Sequence, residues 1–323
     1  MTDIEKIRFV GRWNISKATA ETTSPGAYFN FCFLGEHAVL CFDTQWLNEP
    51  VPHLWIQVDG AALIETPIDR QLRIHAQNCG IHMVKVIFKS ANEMAHRWVR
   101  PLGGCVTLTA IKAELTNFPA DNKRTIEFIG DSITEGVLVD YEPGTETGFF
   151  ERPYDDDSTA TYAWLTAENL DMTPIIVGYG GVGVTKGGSG GVPAAPEIYP
   201  YCYEGIRRGY DSPNIIVLNY GANDRFSSEE AFSLGYEKLL RTVDKENHGS
   251  KIFVVSPFCG VHEEALLKLV NGFNSDRNNE LNFISTKGWL PINAPIHPNR
   301  YWHKKIAEEL TRSIQDKLAQ TAE

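Results

Sequence analysis

The sequence predicts two domains of different class: an all-β jelly-roll sandwich over residues 1–120, and an α/β domain built on a doubly wound parallel sheet over residues 121–323. Three observations predict it. Short runs of alternating apolar and polar residues fill the first part, with no sustained 3.6-residue period. Continuous apolar runs separated by helical stretches fill the second, as expected of strands buried on both faces. Between them, Asn117-Phe-Pro-Ala-Asp-Asn-Lys-Arg124 collects a proline and turn-forming polar residues, which ends the β pattern.

In the first domain, Phe29, Phe31 and Phe33 share one face of a strand. Leu54, Ile56 and Val58 share a face of another and lead into Asp59-Gly60, a two-residue hairpin turn. Gln71–Ala76, His82–Phe88 and Val106–Ile111 are further strands. His37, His53, His75, His82 and His96 match no metal-ligand spacing and read as surface or satisfied core histidines. Trp46, Trp55 and Trp98 are either core aromatics or a face that stacks on a sugar. The six cysteines are scattered singly, without a Cys-x-x-Cys pair, and read as buried reduced thiols.

In the second domain, Ile126–Ile129, Pro174–Val177, Ile215–Leu218 and Ile252–Val255 are the strand candidates, and Ser158–Leu170, Ser227–Glu246, Val261–Phe273 and Arg300–Leu318 the helices. Asp155-Asp156-Asp157 precedes the first helix, where carboxylates cap and complement the dipole; it reads as a solvated capping run rather than a metal site. Gly178-Tyr-Gly-Gly-Val-Gly183 has the spacing of a dinucleotide fingerprint. The residues after it, Thr-Lys-Gly-Gly-Ser-Gly-Gly-Val-Pro, cannot open the helix that would face a pyrophosphate. What remains is a glycine loop whose backbone N–H groups can approach a ligand closely.

The net charge of −11, from 30 Lys and Arg against 41 Asp and Glu, disfavours nucleic acid or an anionic membrane as a partner. The amino terminus lacks the basic-then-apolar pattern of a secretory signal, and no apolar run approaches the roughly 18 residues of a membrane span. The expectation is a cytoplasmic protein.

Three segments carry chemistry. Ile126–Gly136 breaks an apolar run at Gly130 into Asp131-Ser132, which places a hydroxyl at the carboxyl end of a strand, where open α/β sheets bind ligands. Taken alone, Ser132 could equally be a helix cap. Asn219-Tyr-Gly-Ala-Asn-Asp-Arg225 follows another strand and can aim the Asn223 carboxamide into the same crevice, or form a turn. His297 lies in a proline-flanked loop, better placed to act as a base than His303, which falls inside the last helix.

Together these blocks resemble the GDSL/SGNH hydrolase family, in the family's order: Gly130-Asp131-Ser132, Gly180-Gly181, Gly221-Ala-Asn223-Asp224, and His297-Pro298 followed by Ile306-Ala307. The match covers residues 124–318. A β-sandwich ahead of such a domain is similar to the family-two carbohydrate esterases, which remove acetyl groups from sugars. The resemblance implies an acyl-enzyme on Ser132, His297 as base, and an oxyanion hole of the Ser132 N–H, the Gly181 N–H and the Asn223 side chain, with no metal or organic cofactor. It implies a small-molecule or oligosaccharide ester as substrate, with short acyl chains expected.

One position departs from the family pattern. Asp usually stands three residues before the histidine, where this sequence has Ala294. A backbone carbonyl near residues 294–296 holding Nδ1–H would make a Ser-His dyad; Asn293 is a poorer stand-in, one position out of register. Impaired activity is a further reading, which would leave a carbohydrate-binding protein. Thioesterase, lysophospholipase or acyltransferase chemistry would use the same site. The insertion Leu138–Tyr154, with Phe149-Phe150, and the loop Gly187–Pro200 are expected to line the pocket.

Overall fold

A computed structural model describes residues 4–142, 148, 151–275 and 281–320. The amino-terminal part holds eight strands: β1 (Arg8–Val10), β2 (Asn14–Ile15), β3 (Ala20–Thr22), β4 (Tyr28–Phe42), β5 (His53–Val58), β6 (Ile64–Pro67), β7 (Gln71–Ser90) and β8 (Val106–Thr116). Hydrogen bonding joins all eight in one network, with β1 paired to β4 off the main path β2-β3-β8-β4-β7-β5-β6. Two strands expected as separate pieces, 71–76 and 82–88, are one continuous β7. β4 pairs with both halves, and the register shifts between the Gly35–Gly80 and His37–His75 pairs, so residues 76–79 form an irregularity within the strand. The alternation seen in the sequence sends Phe29, Phe31, Phe33, Leu54, Val84, Val86 and Phe88 into one core.

Segment 117–124 has neither helix nor strand and leads into a five-stranded sheet. Its members are β9 (Thr125–Gly130), β10 (Thr173–Gly178), β13 (Ile215–Asn219), β14 (Lys251–Val255) and β15 (Asn282–Ile284), all pairing in parallel in the order β10-β9-β13-β14-β15. The edge strand β15, too short and mixed to stand out, escaped the sequence reading. A hairpin of β11 (Tyr201–Tyr203) and β12 (Ile206–Arg207) lies apart. Short helices α1 (Ser132–Glu135), α2 (Arg152–Asp155) and α4 (Ala195–Ile198) accompany the longer α3 (Tyr162–Asn169), α5 (Glu229–Glu246), α6 (Glu263–Ser275) and α7 (Arg300–Gln320). Among the described residues no helix is long and apolar enough to cross a membrane. The sheet's strand order reverses between β9 and β13, so the crevice of this fold opens at their carboxyl ends.

Two details of the sequence reading change. Asp156 and Asp157 are not solvated; they are 3% and 1% exposed. Asp156 accepts from the Leu138 N–H at 2.7 Å and Arg152 Nε at 3.1 Å. Asp157 accepts from Thr159, from Arg300, and from Trp55 Nε1 at 3.1 Å across the domain boundary. A neighbouring domain covers what the sequence shows as a bare acidic run. All six cysteines are free thiols, but Cys79 and Cys259 are exposed.

Two arginines from the first hundred residues are fully buried against the α/β part. Arg12 pairs with Glu127 on β9 at 3.4 Å and donates to the carbonyls of Ile198 and Tyr201 at 3.2 and 2.7 Å. Arg97, in the connection from β7 to β8, makes a two-pronged ion pair with Glu135 at the end of α1. Burial alone would lower the Arg12 pKa, but Tyr210, Glu127 and Tyr199 together raise it, so the guanidinium stays charged. Removing one partner of such a pair strands a charge out of water. Glu127→Gln should therefore destabilise the protein by about 3–5 kcal/mol, read from urea unfolding. The double variant Arg12→Met with Glu127→Leu should lose markedly less.

Candidate active site

Strand β9 delivers Ser132 to the first position of α1. Asp131 caps that helix, accepting from the Ile133 N–H at 3.0 Å. The backbone turns sharply there because Gly130 has no side chain: a Cβ on it would lie 2.1 Å from Thr134 Oγ1 and 2.9 Å from the Asn219 carbonyl oxygen. Ser132 thus starts the helix as a largely buried residue, and its Oγ lies 2.9 Å from His297 Nε2. The 165 residues between them in sequence are closed by the sheet.

His297 is mostly buried, which lowers its pKa below the usual histidine value; the Glu93 carboxylate acts to raise it and Arg152 to lower it. Among the described residues, Nδ1 makes no hydrogen bond, so the expected carbonyl near 294–296 does not hold it. The Ala294 N–H instead closes a turn onto the Pro291 carbonyl at 2.9 Å, and Asn293 is exposed. His303 is remote in role as expected. It sits wholly buried in α7, accepts the Tyr162 N–H on Nδ1 at 3.0 Å, and is held neutral by burial, with its pKa lowered to about 3.

Gly181 adopts φ of +74°, a conformation other residues resist, and its N–H makes no hydrogen bond among the described residues. Asn223 stands beside it, but its Nδ2 donates to Asp131 Oδ2 at 3.2 Å and to the Val182 carbonyl at 3.0 Å. Both amide hydrogens are therefore engaged in this state, and one bond must exchange before Asn223 serves an oxyanion. Asp224 fixes the spacing between the two blocks: it accepts from the Val184 and Thr185 N–H groups at 3.0 and 2.9 Å. Asp131 is fully buried, and that burial pushes its carboxyl up to about 7.

Sequence reasoning missed the residues that hold these loops. Glu135, three positions after Ser132, grips Arg97 and also accepts from the Gly180 N–H. Burial lowers the Arg97 pKa, and the Glu135 charge more than restores it. Glu135 could have been suspected as an acid inside an otherwise apolar block; Arg97 carries no signal of its own. Trp98 is buried and Trp55 is bonded to Asp157, so of the three candidate stacking tryptophans Trp46 is the one whose ring is largely exposed. An open cavity of about 630 Å³ is lined by Ile133 and Ile296, the chain neighbours of Ser132 and His297, with Phe258, Leu290 and Ile292 among others. Phe149-Phe150, expected at the pocket, lie outside the described residues.

No known protein-family profile matches the chain. Relatives do. The cellulase/esterase CelE of Acetivibrio thermocellus is 29% identical over 218 residues, 62% of this chain. The chain spans only 26% of that protein's length. An acetylxylan esterase / glucomannan deacetylase of Cellvibrio japonicus is 26% identical over 75% of this chain and 68% of its own. Among solved structures, a family-two carbohydrate esterase from Clostridium thermocellum in complex with cellohexaose superposes with a TM-score of 0.80. That match runs over 97% of this chain and 99% of that one at 23% identity. The chain is similar to these esterases, and its fold is that of the family-two carbohydrate esterase it superposes on. The fold shared with that structure is the one described above, a sheet-rich part ahead of a parallel-sheet part.

Gly181→Ala should lose about 1–2 kcal/mol of stability through its positive φ. Turnover should fall more than that loss would explain, since the loop carries the free N–H; urea unfolding and ester hydrolysis measured together check both.

Proposed function

We propose that the protein is a serine esterase that removes acetyl groups from oligosaccharides or glycosides. The observation that carries this reading is the 2.9 Å contact between Ser132 Oγ and His297 Nε2, set beside the free Gly181 N–H. The relatives' names point to acetylated polysaccharide, and the neighbour bound to cellohexaose supports a saccharide. The eight amino-terminal strands, joined in one antiparallel network, are read as a jelly roll.

In this reading, neutral His297 accepts the Ser132 proton as Oγ attacks the ester carbonyl. The oxyanion takes hydrogen bonds from the Ser132 and Gly181 N–H groups, and from Asn223 once its Nδ2 turns from Asp131. His297 then protonates the leaving sugar oxygen. Water, activated by the same imidazole, attacks the acyl-enzyme and releases acetate, restoring both side chains. All the proton transfers pass through Nε2.

p-Nitrophenyl acetate and an acetylated xylo- or manno-oligosaccharide test the reading. Ser132→Ala and His297→Ala should each remove nearly all turnover, whereas Asn293→Ala, an exposed residue, should keep it. Asn223→Ala should cost about 10²–10³ in kcat. Undiminished hydrolysis by Ser132→Ala would exclude this nucleophile. Because burial lowers the His297 pKa and the base works unprotonated, kcat/KM should fall on acidification with a midpoint below pH 6.5.

A further inference from the structure

The departure at Ala294 leaves the imidazolium that forms during proton transfer without a carboxylate from its own loop. A carboxylate approaches from the other domain. The connection between β7 and β8, residues 91–105, packs onto the glycine loop: the Arg97 N–H donates to the Gly190 carbonyl at 3.3 Å. A Cβ on Gly190 would lie 2.1 Å from the Ala95 carbonyl oxygen. Within this connection Glu93 sits in a turn closed by buried Asn92, whose carbonyl accepts the Ala95 N–H at 3.0 Å and whose Oδ1 accepts the Met94 N–H at 3.0 Å. Glu93 itself leans on the block beside Ser132: a Cβ on Gly180 would lie 2.5 Å from its Oε2. Arg152 of α2 stands 3.9 Å from its Oε1.

We propose that Glu93 is a positioning carboxylate, supplied by the accessory domain, that stabilises His297 in its charged form and so replaces the acid missing at Ala294. The inference rests on His297 being the base. The charged and titratable groups around His297 fit it. Glu93 favours the imidazolium and Arg152 opposes it. Arg300 is occupied by Asp140 and Asp157, and His303 is neutral. Ser132 contributes the hydroxyl being deprotonated, and Asp131 turns its carboxylate to Ile133 and Asn223. Arg152 is bonded through Nε to Asp156, and its Nη2 lies 3.9 Å from Glu93 Oε1. The step itself needs no new reactant: the proton moves from Ser132 Oγ to His297 Nε2, and Glu93 neither gains nor loses one.

The test is the pH profile of kcat/KM for p-nitrophenyl acetate with full-length protein. Glu93→Gln should lower the plateau about tenfold and move the acid midpoint about one unit toward lower pH. Glu93→Asp should fall between it and wild type. Arg152→Gln should move the midpoint the opposite way, and it carries the test if Glu93→Gln does not fold. An unmoved midpoint in both Gln variants overturns the proposal, as does a change confined to KM, which would make Glu93 a substrate contact. His297→Ala separates this failure from the larger one: if it keeps full activity, the base assignment falls and not merely its partner.

Discussion

The structure depends on two charges buried across a domain boundary. Arg12 and Arg97 have no exposed surface, and their partners Glu127 and Glu135 lie on the strand and the helix on either side of Ser132. A guanidinium cannot be left in an apolar interior alone, so neither side of the boundary is complete without the other. The strand and helix that meet at Ser132 are thus gripped at both ends by residues from the amino-terminal part. The same grip extends to the loop that carries Gly181, because Glu135 holds Arg97 and the Gly180 N–H together.

Within that grip the site is built mostly from backbone. Asp131 caps α1, Asp224 ties 184–185 to 223, and glycines let the loops approach without side chains between them. Such an arrangement presents N–H groups whose direction is fixed before any substrate arrives, which is the preorganisation that stabilises developing negative charge. Asn223 is the adjustable member. Its bond to Asp131 is the longer of its two, and Asp131, with its carboxyl pushed up to about 7, readily gives up its charge. The group that competes for Asn223 is therefore one whose hold weakens near neutrality.

The sequence made legible whatever has a local cause. Ser132, Gly181, Asn223 and His297 each sit at the end of a strand or before a helix, and strand ends are visible as apolar runs that stop; four of the sheet's five strands and the long helices are read the same way. What was not legible depends on distant partners. Asp157 looked solvated because nothing nearby in sequence shows that Trp55 and Arg300 close over it; Asp156 is held by the Leu138 N–H and by Arg152. Arg97 looked like any surface arginine between a histidine and a tryptophan. The continuity of β7 was hidden because residues 77–80 break the apolar alternation, while β4 pairs with the strand on both sides of that irregularity.

The orientation of His297 illustrates the same division. Among the described residues its ring has no hydrogen bond on Nδ1, and residues 291–296 ahead of it are largely exposed, so no described upstream contact aims it. Downstream the chain is fastened at once. Pro298 is buried, the Arg300 N–H donates to the Val139 carbonyl at 3.2 Å, and the Arg300 guanidinium reaches Asp157 at 2.7 Å. Asp157 in turn receives Trp55 from the accessory domain. The backbone that presents the imidazole is therefore held from its carboxyl side, through a carboxylate shared with the other domain. An acid three residues upstream would have fixed the ring locally; with alanine there, alignment passes to contacts that only the two-domain protein can make.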